Sequence, residues 1–104
     1  MEVKEHDTEF QNQVRKKIED LLNAILSQLL QDSNSTKVKV IVHEHTTIFF
    51  IDTDQKNIGQ IIGTRGKNIT SLRTIVNSIA GRNNIRAIVE IPFFTKASGK
   101  NGKD

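Results

Sequence analysis

The sequence predicts an α+β domain of two layers, with helices packed on one face of a three-stranded sheet. Three observations carry that expectation. Apolar residues recur at helical spacing over residues 9–31. Two β-branched runs, at 37–43 and 46–52, lie close enough to pair. A pair of helical segments at 55–62 and 67–80, separated by a glycine-rich interruption, leads into a third alternating run at 85–91.

The first helix is read from Phe10, Val14, Ile18, Leu21, Leu22, Ile25, Leu26, Leu29 and Leu30, which fall on one face at 3.6 residues per turn. Thr8 followed three residues later by Gln11 has the form of a capping box. "QDSNSTK" breaks the pattern with turn formers. "VKVIVHEHTTIFFID" then reads as two strands joined near Glu44 and His45. Asp54 stands where it can cap a short helix, and Asp52 reads as a turn residue. The second member of the helix pair presents Ile69, Leu72, Ile75, Val76 and Ile79, and Gly81 is expected to supply its left-handed cap. In the last run Ile85, Ala87, Val89 and Ile91 alternate with Arg86 and Glu90, and Pro92 ends it. The expected boundaries are a flexible N-terminus at 1–7, one domain at 8–94, and a flexible basic tail at 95–104 carrying Lys96, Lys100 and Lys103.

Composition narrows the chemistry. The chain of 104 residues contains no cysteine, which excludes disulfides, thiolate catalysis and Cys-type zinc sites. No apolar run reaches the roughly 20 residues of a membrane span, and no signal pattern opens the chain; the expectation is a cytoplasmic protein without membrane contact. The net charge of +3 conceals an asymmetry. Residues 55–89 carry Lys56, Arg65, Lys67, Arg73, Arg82 and Arg86 with no acid among them. Charge of one sign favours a polyanionic partner. With five Phe and no Trp or Tyr, recognition through stacked bases is disfavoured. His43 and His45 lack a third ligand at metal-site spacing. Ser71 and Thr74 lack a base, and no paired carboxylates stand out beyond the turn and cap roles of Asp52 and Asp54. The expectation is therefore no enzyme, no metal and no cofactor.

The chemistry-bearing stretch is "IGQIIGTRGKNITSLRTI", residues 58–75. A phosphate-binding loop ending on Gly66-Lys67 needs glycine at 61 and Ser or Thr at 68, where the chain has Ile61 and Asn68; a dinucleotide fingerprint fails at Ile61 as well. What remains is a G-x-x-G turn between two helices. Glycine lets the chain reverse tightly and removes the Cβ that would hold a ligand backbone away. The following helix offers unpaired N–H groups, and Arg65 and Lys67 add full charges beside them.

"IIGTRGKNI", Ile61–Ile69, fits the I-I/V-G-x-x-G-x-x-I signature of KH domains, and the element order α-β-β-α-α-β resembles the type II KH topology. The longer stretch to Arg82 is similar to the small bacterial single-KH RNA-binding proteins of the KhpA type and to the KH module of their Jag-type partner. The resemblance implies short single-stranded RNA held in a groove on the GXXG loop. Carried over by position, Gly63, Thr64, Arg65 and Gly66 contact the RNA backbone with Lys67 beside them, Ile62 and Ile69 line the groove, and Arg73 reaches a neighbouring phosphate. It also implies a homodimer or a second KH protein as partner, and no small-molecule substrate. The alternative expectation is a protein-interaction or ribosome-associated assembly module that keeps the KH fold. Relative to that family the first helix reads as longer and more acidic.

Overall fold

The computed structural model describes residues 2–93, with side chains described from Thr8 onward. The expected lysine tail and Phe94 lie outside the described residues. Seven elements follow in order: α1 (Glu2–Leu29), β1 (Lys37–Val42), β2 (Thr47–Asp52), α2 (Gln55–Ile62), a 3-10 turn (Thr64–Gly66), α3 (Lys67–Arg82) and β3 (Ala87–Glu90). The sheet order is β1-β2-β3. β1 and β2 run antiparallel, with Val40 opposite Phe49 and Val38 opposite Ile51. The short turn between them closes through the Thr46 carbonyl, which accepts from the His43 N–H at 2.8 Å. β2 and β3 run parallel, with Phe49 opposite Val89. Parallel neighbours need a long crossover, and α2 and α3 supply it.

Two periodicities build the core. On α1, Val14, Ile18, Leu22 and Leu26 are buried one turn apart, and Leu30 continues the stripe just past the helix end. On the sheet every second residue turns inward, so that Thr47, Phe49 and Ile51 are buried while Ile48 and Phe50 are half-buried on the other face. Ile61, Ile69, Leu72, Val76 and Ala80 close the core from α2 and α3. Phe10 and Leu21, read from the pattern as part of the apolar face, lie 46% and 37% exposed, off the buried stripe.

Several terminations differ from expectation. α1 begins at Glu2, so Thr8 and Gln11 lie inside the helix rather than at its start. The expected start rested on an apolar stripe that begins at Phe10 and carries no signal for the preceding turns. Asp54 occupies the cap position of α2 without a side-chain bond to it; its carboxylate accepts from the Ser35 hydroxyl at 2.7 Å instead. Asp52 is the last residue of β2, ion-paired to Lys39 at 3.3 Å. α3 runs through Gly81 to Arg82, and Asn84 (φ 59°) takes the left-handed position. The Asn84 N–H reaches the Gly81 carbonyl at 3.2 Å, and the Ile85 N–H reaches Ala80 at 2.8 Å, the double closure of a Schellman motif. That use of Ile85 is why β3 starts only at Ala87.

Gly81 is thus a helix-interior glycine whose added Cβ would meet nothing within 4 Å. Gly81→Ala is expected to raise stability by about 0.5–1 kcal/mol, read as a higher midpoint in urea denaturation. A buried amide ties the other end of the domain. Asn57, 3% exposed, donates from Nδ2 to Thr53 Oγ1 (3.0 Å), Thr36 Oγ1 (3.2 Å) and the Asp32 carbonyl (3.2 Å). It joins α2 to the ends of both neighbouring segments. Asn57→Leu would break all three bonds and leave the Thr36 and Thr53 hydroxyls with only each other, 2.6 Å apart, at a cost of about 1–3 kcal/mol in the same measurement.

Candidate nucleic-acid interface

α2 ends on Gly63, whose N–H bonds the Gly59 carbonyl at 2.8 Å. Gly63 holds φ 78°, ψ 171°, a region essentially restricted to glycine. A Cβ there would stand 2.6 Å from the Asn68 Cγ. The close approach has a purpose in the local bonding: the Asn68 amide passes Gly63 and donates from Nδ2 to the Gln60 carbonyl at 2.8 Å. A helix leaves its last carbonyls without intrahelical partners, and this bond satisfies one of them while fixing α3 against α2.

The reversal follows at once. Arg65 (φ 57°, ψ 26°) and Gly66 (φ 75°, ψ 16°) are both left-handed, and the Gly66 N–H closes on the Gly63 carbonyl at 3.0 Å. The conformation costs glycine little; for Arg65 it costs about 1–2 kcal/mol. A Cβ on Gly66 would meet nothing within 4 Å, so this glycine is required by its backbone angles and leaves its outer surface bare. α3 then opens at Lys67 without a side-chain cap and without an acid in its first turn. Its N-terminal partial positive charge faces outward beside Arg65 and Lys67, which are exposed and make no ion pair among the described residues. Lys56, at the other end of α2, is bound to Asp32 at 3.0 Å. That bond raises the Lys56 pKa and lowers that of Asp32, so this cation is already answered.

The turn borders an open depression of about 560 Å³, lined by Leu29, Gly59, Gln60, Gly63, Thr64, Arg65, Lys67 and Asn68, with no carboxylate on its wall. Of the residues singled out in the sequence, Gly63, Thr64, Arg65 and Lys67 share this wall, and Gly66 completes the turn. Ile62 is half-buried and packs on the core. Ile69 departs from its expected place: at 6% exposed it belongs to the core, because it falls on the inward stripe of α3 with Leu72 and Val76. Arg73 donates from Nε to the Val89 carbonyl at 3.1 Å, which holds its guanidinium to β3. Sequence reasoning passed over Gly59, Gln60 and Asn68. The polar residue two places into α3 was visible, but nothing local pairs it with a carbonyl eight residues back. Among the described residues no three His, Cys, Asp or Glu side chains converge as a metal site, and no helix is long and apolar enough to cross a membrane.

A β-α-α-β unit with a GXXG turn between its helices, preceded by a helix and an edge strand, is the architecture of a type II KH domain. The chain belongs to the KhpA/KhpB KH-domain family, whose model, described as "KhpA/KhpB, KH domain", matches residues 19–91. It is not a family of enzymes. The chain is 32% identical over 74 residues to the RNA-binding protein KhpA of Chlamydia pneumoniae, covering 71% of this chain and 95% of that protein. It is 32% identical over 72 residues to the RNA-binding protein KhpA of Borreliella burgdorferi, covering 69% and 88%. With the KhpA of Streptococcus pneumoniae serotype 4 it shares 31% over 62 residues, covering 60% and 78%. The matched region begins within α1, so the first part of that helix lies outside the family model.

Proposed function

We propose that this protein binds RNA, and that it holds short single strands by their backbone at the Gly63–Lys67 turn. The observation that carries the reading is the coincidence, on one wall, of a Cβ-poor reversal, an uncapped helix N-terminus and two unpaired cations with no acid nearby. The family relatives bear the name RNA-binding protein, which agrees with it. Gly63, Thr64, Arg65, Gly66 and Lys67 take the phosphate side, and Ile62 lines the groove floor. Arg73 is an outlying contact that needs its bond to Val89 exchanged. Ile69 supports the groove from the core.

Contacts of this kind position a strand without reading bases. Among the described residues Phe49 is in the core and no phenylalanine lines the turn, so stacking contributes little and sequence preference is modest. Titration of labelled oligouridylate at several salt concentrations tests the reading. With two to four phosphates neutralised, log affinity is expected to fall against log salt with a slope of roughly −1.5 to −3; a slope of zero would remove the backbone clamp. A protein partner, either a second copy or a second KH protein, is favoured by the exposed apolar strip of α1, where Ala24, Ile25 and Leu29 line one shallow surface near Leu21. Sizing at several concentrations reads it: a mass that stays monomeric throughout excludes the homodimer.

A further inference from the structure

At the far end of the domain from the glycine turn, three segments enclose a second polar cavity of about 350 Å³. α1 contributes Arg15, the β1–β2 turn contributes His45, and the segment after α3 contributes Asn84 and Arg86. α3 separates the two ends, and its 16 residues span about 24 Å.

Arg15 is half-buried and rigidly placed by neutral partners alone. Its Nε donates to Thr47 Oγ1 at 2.8 Å and one terminal nitrogen to Asn12 Oδ1 at 2.7 Å. Thr47 is fully buried, and its own N–H bonds the main-chain carbonyl of Arg86 at 2.8 Å, so one residue holds the Arg15 side chain and the backbone from which the exposed Arg86 side chain extends. Neither makes an ion pair among the described residues. Among the described residues the only carboxylate on the wall is Glu44, exposed at the turn and within 4 Å of neither guanidinium. A partly desolvated cation is stabilised by a charged acceptor that neutral oxygens do not replace. The guanidinium fork matches the oxygens of a phosphate in particular.

We infer that this cavity is a phosphate-binding site, with Arg15 and Arg86 as its paired donors and Asn84 at its rim. Arg15 precedes residue 19, where the family match begins, while Thr47, Asn84 and Arg86 fall within it, so one of the two arginines is supplied by the part of α1 outside the family model. The ligand is a phosphate group carried either by an RNA strand or by a small free phosphate species. The inference stands apart from the glycine-turn reading, because the probe below reads each end of the domain separately.

The experiment is a titration of the whole chain with inorganic phosphate, followed by amide and arginine side-chain NMR, against sodium chloride at matched ionic strength. Saturable shifts at Thr47, Asn84, Arg86 and the Arg15 Nε–H are expected with phosphate and not with chloride. Arg86→Gln, at an exposed position, is expected to weaken them about tenfold while leaving any shifts at Thr64–Lys67 as in the parent. Arg15→Gln should act likewise, with circular dichroism checking that loss of the Thr47 bond leaves the fold in place. A second arm titrates short and long oligouridylates. If the ligand is an RNA phosphate, Arg86→Gln flattens the salt slope for the long strand by about 0.7 and leaves the short strand unchanged. If it is a free phosphate species, inorganic phosphate shifts the cavity while both RNA affinities stay as in the parent. Absence of saturable phosphate shifts, or shifts that persist in Arg86→Gln and Arg15→Gln alike, overturns the site.

Discussion

Thr64→Asp combined with Arg65→Asp is expected to abolish RNA binding while the protein stays folded. Both positions are exposed, and neither side chain makes a described hydrogen bond or ion pair that the fold would lose. The backbone tolerates the change. Arg65 sits at φ 57°, and Asp is among the residues that adopt the left-handed region most readily. Carboxylates ahead of α3 also complement its N-terminal partial charge, worth about 0.3–1 kcal/mol each, so the folded state is expected to hold or gain. The ligand meets the opposite field. One cation is removed and two anions are placed where a phosphate would lie, and like charges brought together at an interface cost several kcal/mol. That corresponds to a loss of affinity of at least about a hundredfold. Fluorescence titration with oligouridylate, beside thermal melts of both proteins, separates binding from folding. Equal affinities in the presence of an intact fold would show that the turn is not the site.

Gly63→Ala should have the largest effect on stability of the alanine substitutions at the four described glycines. Two terms add. The backbone at φ 78°, ψ 171° is strained for any residue with a Cβ, at about 1–3 kcal/mol. The new carbon would also fall 2.6–2.9 Å from three atoms of the Asn68 side chain, forcing that amide off the Gln60 carbonyl at a further cost of about 1 kcal/mol. A total near 2–4 kcal/mol is a large fraction of the margin that holds a small domain. Gly66→Ala is the control. It meets no neighbour and pays only for its left-handed angles, about 1–2 kcal/mol. Urea denaturation of Gly63→Ala, Asn68→Ala and the double variant forms a cycle. The double variant should recover the steric part and keep the backbone part. If Gly63→Ala and Gly66→Ala proved equally costly, the packing of Asn68 against Gly63 would have no energetic role.

The element order, the sheet layer and the glycine turn were legible because each rests on a local signal. Val14, Ile18, Leu22 and Leu26 repeat one turn apart, β2 alternates strictly, and two glycines three residues apart interrupt a helical pattern. Signals of this kind reach only a few residues along the chain. Polar partnerships do not. Asp54 suggested a helix cap, yet Ser35 competes for its carboxylate from 19 residues away. Gly81 suggested a helix end, yet Asn84 takes the left-handed turn because Ile85 finds a place in the core with Ala80. Asn57 would pass unnoticed in any window, and it joins segments 21 and 25 residues apart.

The same division runs through the candidate site. Residue types alone determined that a cationic, Cβ-poor turn separates two helices and that no acid stands near it in the chain, since charge and the steric freedom of glycine belong to the residues themselves. The tertiary structure decided that Ile69 is core rather than wall, that Arg73 is held by β3, that Asn68 clasps Gln60 across Gly63, and that Arg15 and Arg86 converge at the opposite end. Burial and hydrogen-bond pairing are properties of neighbours in space, and the packing of α1, the sheet and α3 determines which neighbours those are.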